Sequence, residues 1–324
     1  MIDEKTMVPL GGFPQRIHLR TDDPAKPVLL FLHGGPGVCN RHAIMMEHRD
    51  LLDTFTIVCW DQRGSGGSYY GAKDEDLTIA RLTEDAIDLV EYLCARFGKD
   101  KIFVIGGSWG SELGTYLVHS HPERIAALVG FGQVVDGAKN EEISYRFALD
   151  SARKAGDAKS VRKLERLGPP VGGIYRGGLG GMMIQRRVMM KYGGYSPSAK
   201  KRGEFRATVL PVFLSGEYSP RDLWGFLRGY KRVLTAMMKE CAATSFPAGY
   251  TKFEAPFYIF DGRRDYNTPA ELVQDWYDMI EAPEKCLVWF EDSGHNPMSD
   301  EPEAFKRLLR RKLLAVKERE DCRI

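Results

Sequence analysis

The sequence predicts an α/β protein, a mostly parallel central sheet flanked by helices and interrupted by an inserted helical segment. Three observations carry that expectation. Short, continuous apolar runs recur through residues 1–133 and return in 251–324, as strands buried on both faces do. Helical patterns separate those runs, which is the signature of strand–helix–strand crossovers. Residues 134–250 break the alternation, with helical periodicity and no convincing strand. The expected organisation is a core made of 1–133 and 251–324, with a helical cap, 134–250, inserted between its halves.

Taken in order, the apolar runs Arg16–Arg20, Val28–Leu32, Phe55–Trp60, Ile102–Ile105 and Ile125–Phe131 read as strands. Ile79, Leu82, Ala86, Leu89 and Leu93 share one face of a helix expected to end near Phe97. A second helix is expected from Trp109 to Ser120. In the middle block, the periodicity predicts helices over Ile143–Ala155 and Leu223–Cys241, joined in part by the Gly-rich stretch 169–181, which reads as a mobile connection within a cap. Strand patterns then resume at 256–260 and 286–290, with helices from Pro269 and from about Glu303.

Composition bounds the function. The chain has 324 residues, 43% hydrophobic and 28% charged, and a net charge of +2, an ordinary globular balance. No nucleic-acid module or basic–aromatic platform appears, so no nucleic-acid partner is expected. No apolar run reaches membrane-spanning length and the first residues lack a signal-peptide core, so a cytoplasmic location without membrane association is expected. The six cysteines form no Cys-x-x-Cys pair and are expected to be reduced. Charge is unevenly spread: residues 134–250 hold 21 Lys and Arg against 10 Asp and Glu. The result is a basic cap on an acidic core, with a pull on anionic substrates as the sharper alternative.

Chemistry concentrates in three places. The apolar run 102–105 leads into Gly106-Gly107-Ser108-Trp109-Gly110, immediately before the predicted helix. A serine on a sharp strand-to-helix turn presents its hydroxyl above the sheet edge, and glycines two residues either side let the arms of the turn approach. The run 28–32 leads into His33-Gly34-Gly35-Pro36-Gly37, a loop able to turn a backbone N–H toward that serine. Gly35 and Trp109, the latter at a helix N-terminus, are the expected oxyanion donors. Downstream, Asp261 and Asp265 follow one strand pattern, and His295 follows the next in Ser293-Gly294-His295. Ser108 needs a general base, and His295 is the best placed of seven histidines. Asp265, further along the loop that should reach His295, is preferred over Asp261 as the group orienting the imidazole. Asp61-Gln62-Arg63-Gly64-Ser65-Gly66 reads as turn-rich scaffold. Glu112 reads as a first-turn acid favoured by the helix dipole, with a substrate role left open. No metal or other cofactor is indicated, because no His-Glu-x-x-His or Cys–His cluster occurs.

His33-Gly34-Gly35-Pro36-Gly37, Asp61-Gln62-Arg63-Gly64-Ser65-Gly66 and Gly106-Gly107-Ser108-Trp109-Gly110 together resemble the proline iminopeptidase branch of the α/β-hydrolases. The resemblance is strong from about Val28 to Gly132 and from Ala255 to Ala304, and loose between. It implies the α/β-hydrolase fold and a chain order of Ser108, Asp265 and His295 in the triad, and it also selects Asp265. It implies too that carboxylates of the cap receive the substrate's free amine. The cap offers Glu141, Glu142, Glu204, Glu217 and Glu240, of which Glu217 is the choice. The expected activity is a serine hydrolase releasing N-terminal proline or other small residues from short peptides. The alternative is a small-molecule esterase, lactonase or amidase with the same triad, and a non-catalytic receptor is disfavoured by the complete triad.

Overall fold

The computed structural model describes residues 1–197 and 210–321. Eight strands form its sheet: β1 (Ile2–Leu10), β2 (Phe13–Thr21), β3 (Val28–Leu32), β4 (Thr56–Trp60), β5 (Ile102–Gly107), β6 (Ile125–Phe131), β7 (Phe257–Gly262) and β8 (Lys285–Phe290). Their order is β1-β2-β4-β3-β5-β6-β7-β8. β1 pairs antiparallel with β2 and β2 with β4, and every later pairing is parallel. The apolar runs other than Arg16–Arg20, which lies in antiparallel β2, are the strands of the parallel part, as expected of strands covered on both faces.

β1 has no counterpart in the sequence reading. It carries three consecutive charged residues, Asp3, Glu4 and Lys5, its exposure alternates along the strand, and only Val8 and Leu10 are fully buried. An edge strand with one wet face needs no continuous apolar run. The readable signal was Gly11-Gly12, both at positive φ (54° and 69°), closing a two-residue hairpin between alternating segments.

Side chains of β3 and β5 divide by parity between two cores. Leu30, Leu32 and Val104 face one, with α2 (Ile79–Phe97), α3 (Trp109–Ser120) and α9 (Ala270–Met279). Leu29, Phe31, Phe103 and Ile105 face the other, with α1 (Arg41–Glu47) and α11 (Pro302–Asp321). α2 starts where Thr78 accepts from the Arg81 N–H and stops at Gly98, whose φ of 59° ends the helix.

Between β6 and β7 lie α4 (Gly137–Lys154), α5 (Ala158–Leu167), α6 (Leu179–Lys191), α7 (Leu210–Leu214) and α8 (Pro220–Ala243). α4 begins earlier than its periodicity suggested because Asp136 caps it, accepting from the Lys139 N–H. These helices have a core of their own around Tyr145, Ala148, Leu164, Tyr175 and Met189. The Gly-rich stretch is built into them, a departure from an open connection. Val171 and Ile174 bridge, Gly178 is the residue that opens α6, and a Cβ on Gly181 would sit 2.3 Å from the Arg176 carbonyl.

The helical segment leaves and re-enters the core at one point. The Gly137 N–H donates to the Thr244 carbonyl at 2.9 Å, the Phe246 N–H to the Val135 carbonyl at 2.9 Å, and the Ser245 hydroxyl to Asp136 at 2.8 Å. A buried charge cluster adds a second tie. Arg41 of α1 reaches Asp222 of α8 at 2.7 Å and Asp61 after β4 at 3.3 Å. Among the described residues five cysteines are free, and no helix is long and apolar enough to cross a membrane.

Candidate active site

Ser108 stands between β5 and α3 with φ 56° and ψ −125°, the one non-glycine at positive φ among the described residues. Sterics explain why its neighbours are glycines. A Cβ on Gly106 would come within 2.1 Å of the Gly110 carbonyl oxygen, and one on Gly110 within 2.1 Å of the Leu32 carbonyl oxygen. The strand, the turn and the loop after β3 are therefore in backbone contact, which no side chain permits. The strained serine is held because the surrounding chain overdetermines it.

The loop after β3 lies against that serine. An added Cβ on Gly34 would sit 3.2 Å from the Ser108 Cβ, and Gly35 follows at φ 121°. His33 fixes this loop from below: its Nε2 accepts from the Gln62 N–H at 3.1 Å, and the Gln62 side-chain amide donates to the His33 carbonyl at 3.1 Å. Gln62 in turn accepts from the Trp109 indole at 2.8 Å, while Arg63 is clamped by buried Asp85 at 2.7 Å. The Asp61–Gly66 segment thus bonds the loop after β3 to the first residue of α3. Among the described residues no acceptor takes the N–H of Gly35 or of Trp109, and Trp109 lies in a first helical turn, where donors have no partner within the helix.

His295 and Asp265 come together on the loops after β8 and β7. Asp265 Oδ2 lies 2.8 Å from His295 Nδ1, and both side chains are buried. Asp265 also accepts from the backbone N–H of Asn267 (2.7 Å) and of Thr268 (3.0 Å) and from the Thr268 hydroxyl (2.6 Å). The Asn267 amide donates to His295 Nε2 at 3.2 Å. A carboxylate on one ring nitrogen and a donor on the other select the tautomer with the proton on Nδ1 and a lone pair on Nε2. The His295 N–H is anchored on the Tyr195 carbonyl at 2.6 Å.

Asp261 has none of this. It is reached by the Gln133 N–H at 3.3 Å, and its Oδ2 lacks a partner among the described residues. Burial, reinforced by the charge of neighbouring Asp265, pushes its carboxyl well above the usual range.

Ser108 and His295 approach the same backbone corner without a direct hydrogen bond. The Ser108 N–H donates to the Phe131 carbonyl at 2.9 Å, and a Cβ on the next residue, Gly132, would lie 2.9 Å from His295 Nδ1. The serine–histidine contact often tightens only around a substrate. Helices of the inserted segment cover this corner. Asn140 of α4 donates to the Asn267 carbonyl at 2.7 Å, Phe147 stacks on Tyr266 at 3.7 Å between ring centres, and the Tyr195 ring lies 4.9 Å from the His295 ring.

Two of the expected acids have partners that the sequence does not show. Glu217 is bound elsewhere: its carboxylate pairs with Lys5 of β1 at 3.1 Å and with His18 of β2 at 2.9 Å, at the edge of the sheet. Burial alone would raise its pKa, but those two neighbours outweigh it and hold the group at about 2. It closes the cap on the hairpin, and no bond joins it to the Ser108 corner. Glu112 lies in the first turn of α3, as expected, but out of contact with water. It is buried in α3, accepts from the Thr244 hydroxyl at 2.7 Å, and desolvation pushes it up to about 8. Of the other cap carboxylates, Glu141 is paired with Arg186, Glu240 accepts from the Ile79 N–H at 2.7 Å, Glu142 is exposed, and Glu204 lies outside the described residues.

Sequence reasoning missed Asn267, Thr268 and Tyr195. The first two had a signal: an Asp two and three residues before Asn-Thr, ahead of Pro269 and a helix, is an Asx-type turn that gathers backbone donors on the carboxylate. Tyr195 had none, because its contact is made across the fold.

Comparison with known proteins agrees with this architecture. Residues 27–166 match the family model for the alpha/beta hydrolase fold. A "Probable aminopeptidase" of Bacillus subtilis (strain 168) is 29% identical over 96% of this chain and 98% of its own length. A "Probable proline iminopeptidase" of Leptolyngbya boryana is 31% identical over 90% of this chain and 88% of its own. Among solved structures, a proline iminopeptidase-related protein of Thermus thermophilus aligns over 98% of both chains with a TM-score of 0.67 at 19% identity, a likeness of fold. The chain belongs to the α/β-hydrolases of the proline iminopeptidase-like kind.

Proposed function

We propose that this α/β-hydrolase is a serine aminopeptidase that releases N-terminal proline or another small residue from short peptides through an acyl-enzyme. The observation that carries the reading is the His295 imidazole, its Nδ1 held 2.8 Å from Asp265, packed against Gly132, the residue after the Phe131 carbonyl that the strained Ser108 turn bonds. In this reading the Ser108 hydroxyl attacks the scissile carbonyl while its proton passes to Nε2. The carbonyl oxygen becomes an oxyanion held by the Gly35 and Trp109 N–H groups. The imidazolium, stabilised by Asp265, returns the proton to the leaving amine. Water, activated by the same nitrogen, then hydrolyses the ester and regenerates Ser108. The helices between β6 and β7 serve as the cap over the bound residue, and the names of the relatives support a free-amine substrate.

A second reading, an esterase, lactonase or amidase, is favoured by one observation: Glu141, Glu217 and Glu240 are engaged by partners within the chain. Hydrolysis of prolyl- and alanyl-arylamides beside their N-acetylated forms and simple aryl esters separates the two, with Ser108→Ala as the blank. Turnover confined to free-amine amides supports the aminopeptidase. Turnover of esters or blocked substrates alone overturns it.

A further inference from the structure

A cavity of about 690 Å³ lies between α5 and α6, on the inserted segment and lined by none of the residues of the Ser108 site. Lys159, Arg162, Lys163 and Arg166 line it from α5, spaced i, i+3, i+4 and i+7, the pattern by which a helix keeps a face pointed one way. Arg187 and Lys191, one turn apart on α6, stand opposite, and Arg176 lines it from the connecting loop. The floor is apolar, formed by Leu167, Ile184 and Val188.

Little in the chain neutralises these charges. Asp157 is the acid of the lining, and it is already bound by Lys191, the Tyr192 hydroxyl and the Ser160 N–H. Nearby Glu165 is paired with Arg153 and Glu141 with Arg186. Among the described residues Arg162, Lys163 and Arg187 pair with no carboxylate. Like charges crowded at helical spacing repel one another, and an anion that fills the cavity removes that cost.

We infer that this groove binds an organic diphosphate, two adjoining phosphoryl groups carried on an apolar body. The size suits one such molecule, since ligand cavities run from about 300 to 1,000 Å³. Paired phosphoryl groups meet cations one helical turn apart, about 6 Å, and arginine forks bind their oxygens two at a time. The apolar floor gives the rest of the molecule a dry surface, which inorganic phosphate would leave unused. The α5 face is only about 10 Å long, too short for a nucleic-acid strand, and the cations are divided between α5 and α6 around a recess, the wrong shape for a bilayer.

The test is calorimetric titration of the full chain, at low and physiological salt, with ADP, geranyl diphosphate and inorganic pyrophosphate. The expected result is one-to-one binding of one organic diphosphate, at least about tenfold tighter than pyrophosphate. Which of the two binds distinguishes a nucleotide from a prenyl source. Arg162→Glu and Lys163→Glu should each weaken it at least about tenfold, Arg162→Gln less, and Lys252→Glu on the core not at all. These exposed positions tolerate substitution, and circular dichroism checks the fold independently of any activity. Absence of heat with all three probes at about 1 mM would overturn the inference. So would pyrophosphate binding as tightly as the organic ligands, equal weakening by Lys252→Glu, or preferential binding of a Glu-rich peptide.

Discussion

Asn267 places its side-chain amide 3.2 Å from Nε2 of His295, the ring nitrogen opposite the one held by Asp265. The same residue's backbone N–H donates to Asp265 at 2.7 Å, so Asn267 bonds both members of the pair. In the resting enzyme its amide occupies the lone pair that the serine proton needs. Asn267→Ala keeps the backbone bond and frees Nε2. Its kcat should stay within about fivefold of the parent, whereas a loss beyond about a hundredfold would make the amide part of the catalytic geometry.

Ser108 is the strain point of its turn and, in the proposed function, the nucleophile. Ser108→Ala should lower turnover by at least about a thousandfold without unfolding the protein. Ser108→Gly should be equally inactive and more stable by about 1 kcal/mol, because glycine accepts a φ of 56° without penalty. Thermal denaturation reads this as a rise of about 2–4 °C over the alanine variant. Equal melting points would mean that the turn carries no strain.

The two aspartates separate cleanly. Asp265→Asn removes the acceptor that fixes the imidazole and should cut kcat by about ten-thousandfold. Asp261→Asn replaces a carboxyl whose charged form burial disfavours and which does not touch His295, and should cost less than about tenfold. Reversed magnitudes in single-turnover kinetics would exchange their roles.

Glu112 should make stability fall toward alkaline pH. Its folded pKa, about 8, lies above the ordinary 4.5 that the unfolded chain retains. Below 4.5 both states are protonated and nothing is lost. From 4.5 to 8 the unfolded state ionises first, so folding weakens as pH rises through that window. Glu112→Gln keeps an acceptor for the Thr244 hydroxyl and abolishes the titration. Its melting point should match the parent near pH 4.5 and exceed it by at least about 4 °C at pH 8.5. A constant difference across the range would refute the assignment.

Asp222→Ala should strand the Arg41 guanidinium in a buried site with Asp61 as its remaining partner. Breaking a buried pair from one side costs about 3 kcal/mol or more. The expected readout is a lower melting point together with a raised KM, because the tie holds α8 to the core. Loss of stability with KM unchanged would place the effect in the core alone.

What the sequence made legible follows physical range. Parallel strands announced themselves because both faces are dry, and the serine turn because only glycine survives a 2.1 Å approach on either side. β1 was hidden, since an edge strand's charges imitate a loop. The partners of Glu217 were hidden because counting carboxylates in the inserted segment cannot show Lys5 and His18 arriving from the far end of the chain. Glu112 was legible as a first-turn acid, but not its burial, because Thr244 closes over it from a distant part of the chain. Tyr195 and Asn140 act on the His295 and Asp265 loops through contacts that no local pattern encodes.

The short ladder joining Val135–Gly137 to Thr244–Phe246 brings the two ends of the helical insertion side by side. To the sheet, everything between those ends is a closed loop, whose entropic cost grows only slowly with its length. The catalytic half can therefore accept an insertion of another size or composition at this socket without relearning how to fold. Change of substrate becomes a matter of exchanging a part, and a chimera carrying a relative's insertion grafted at that ladder is the natural way to move specificity between these enzymes.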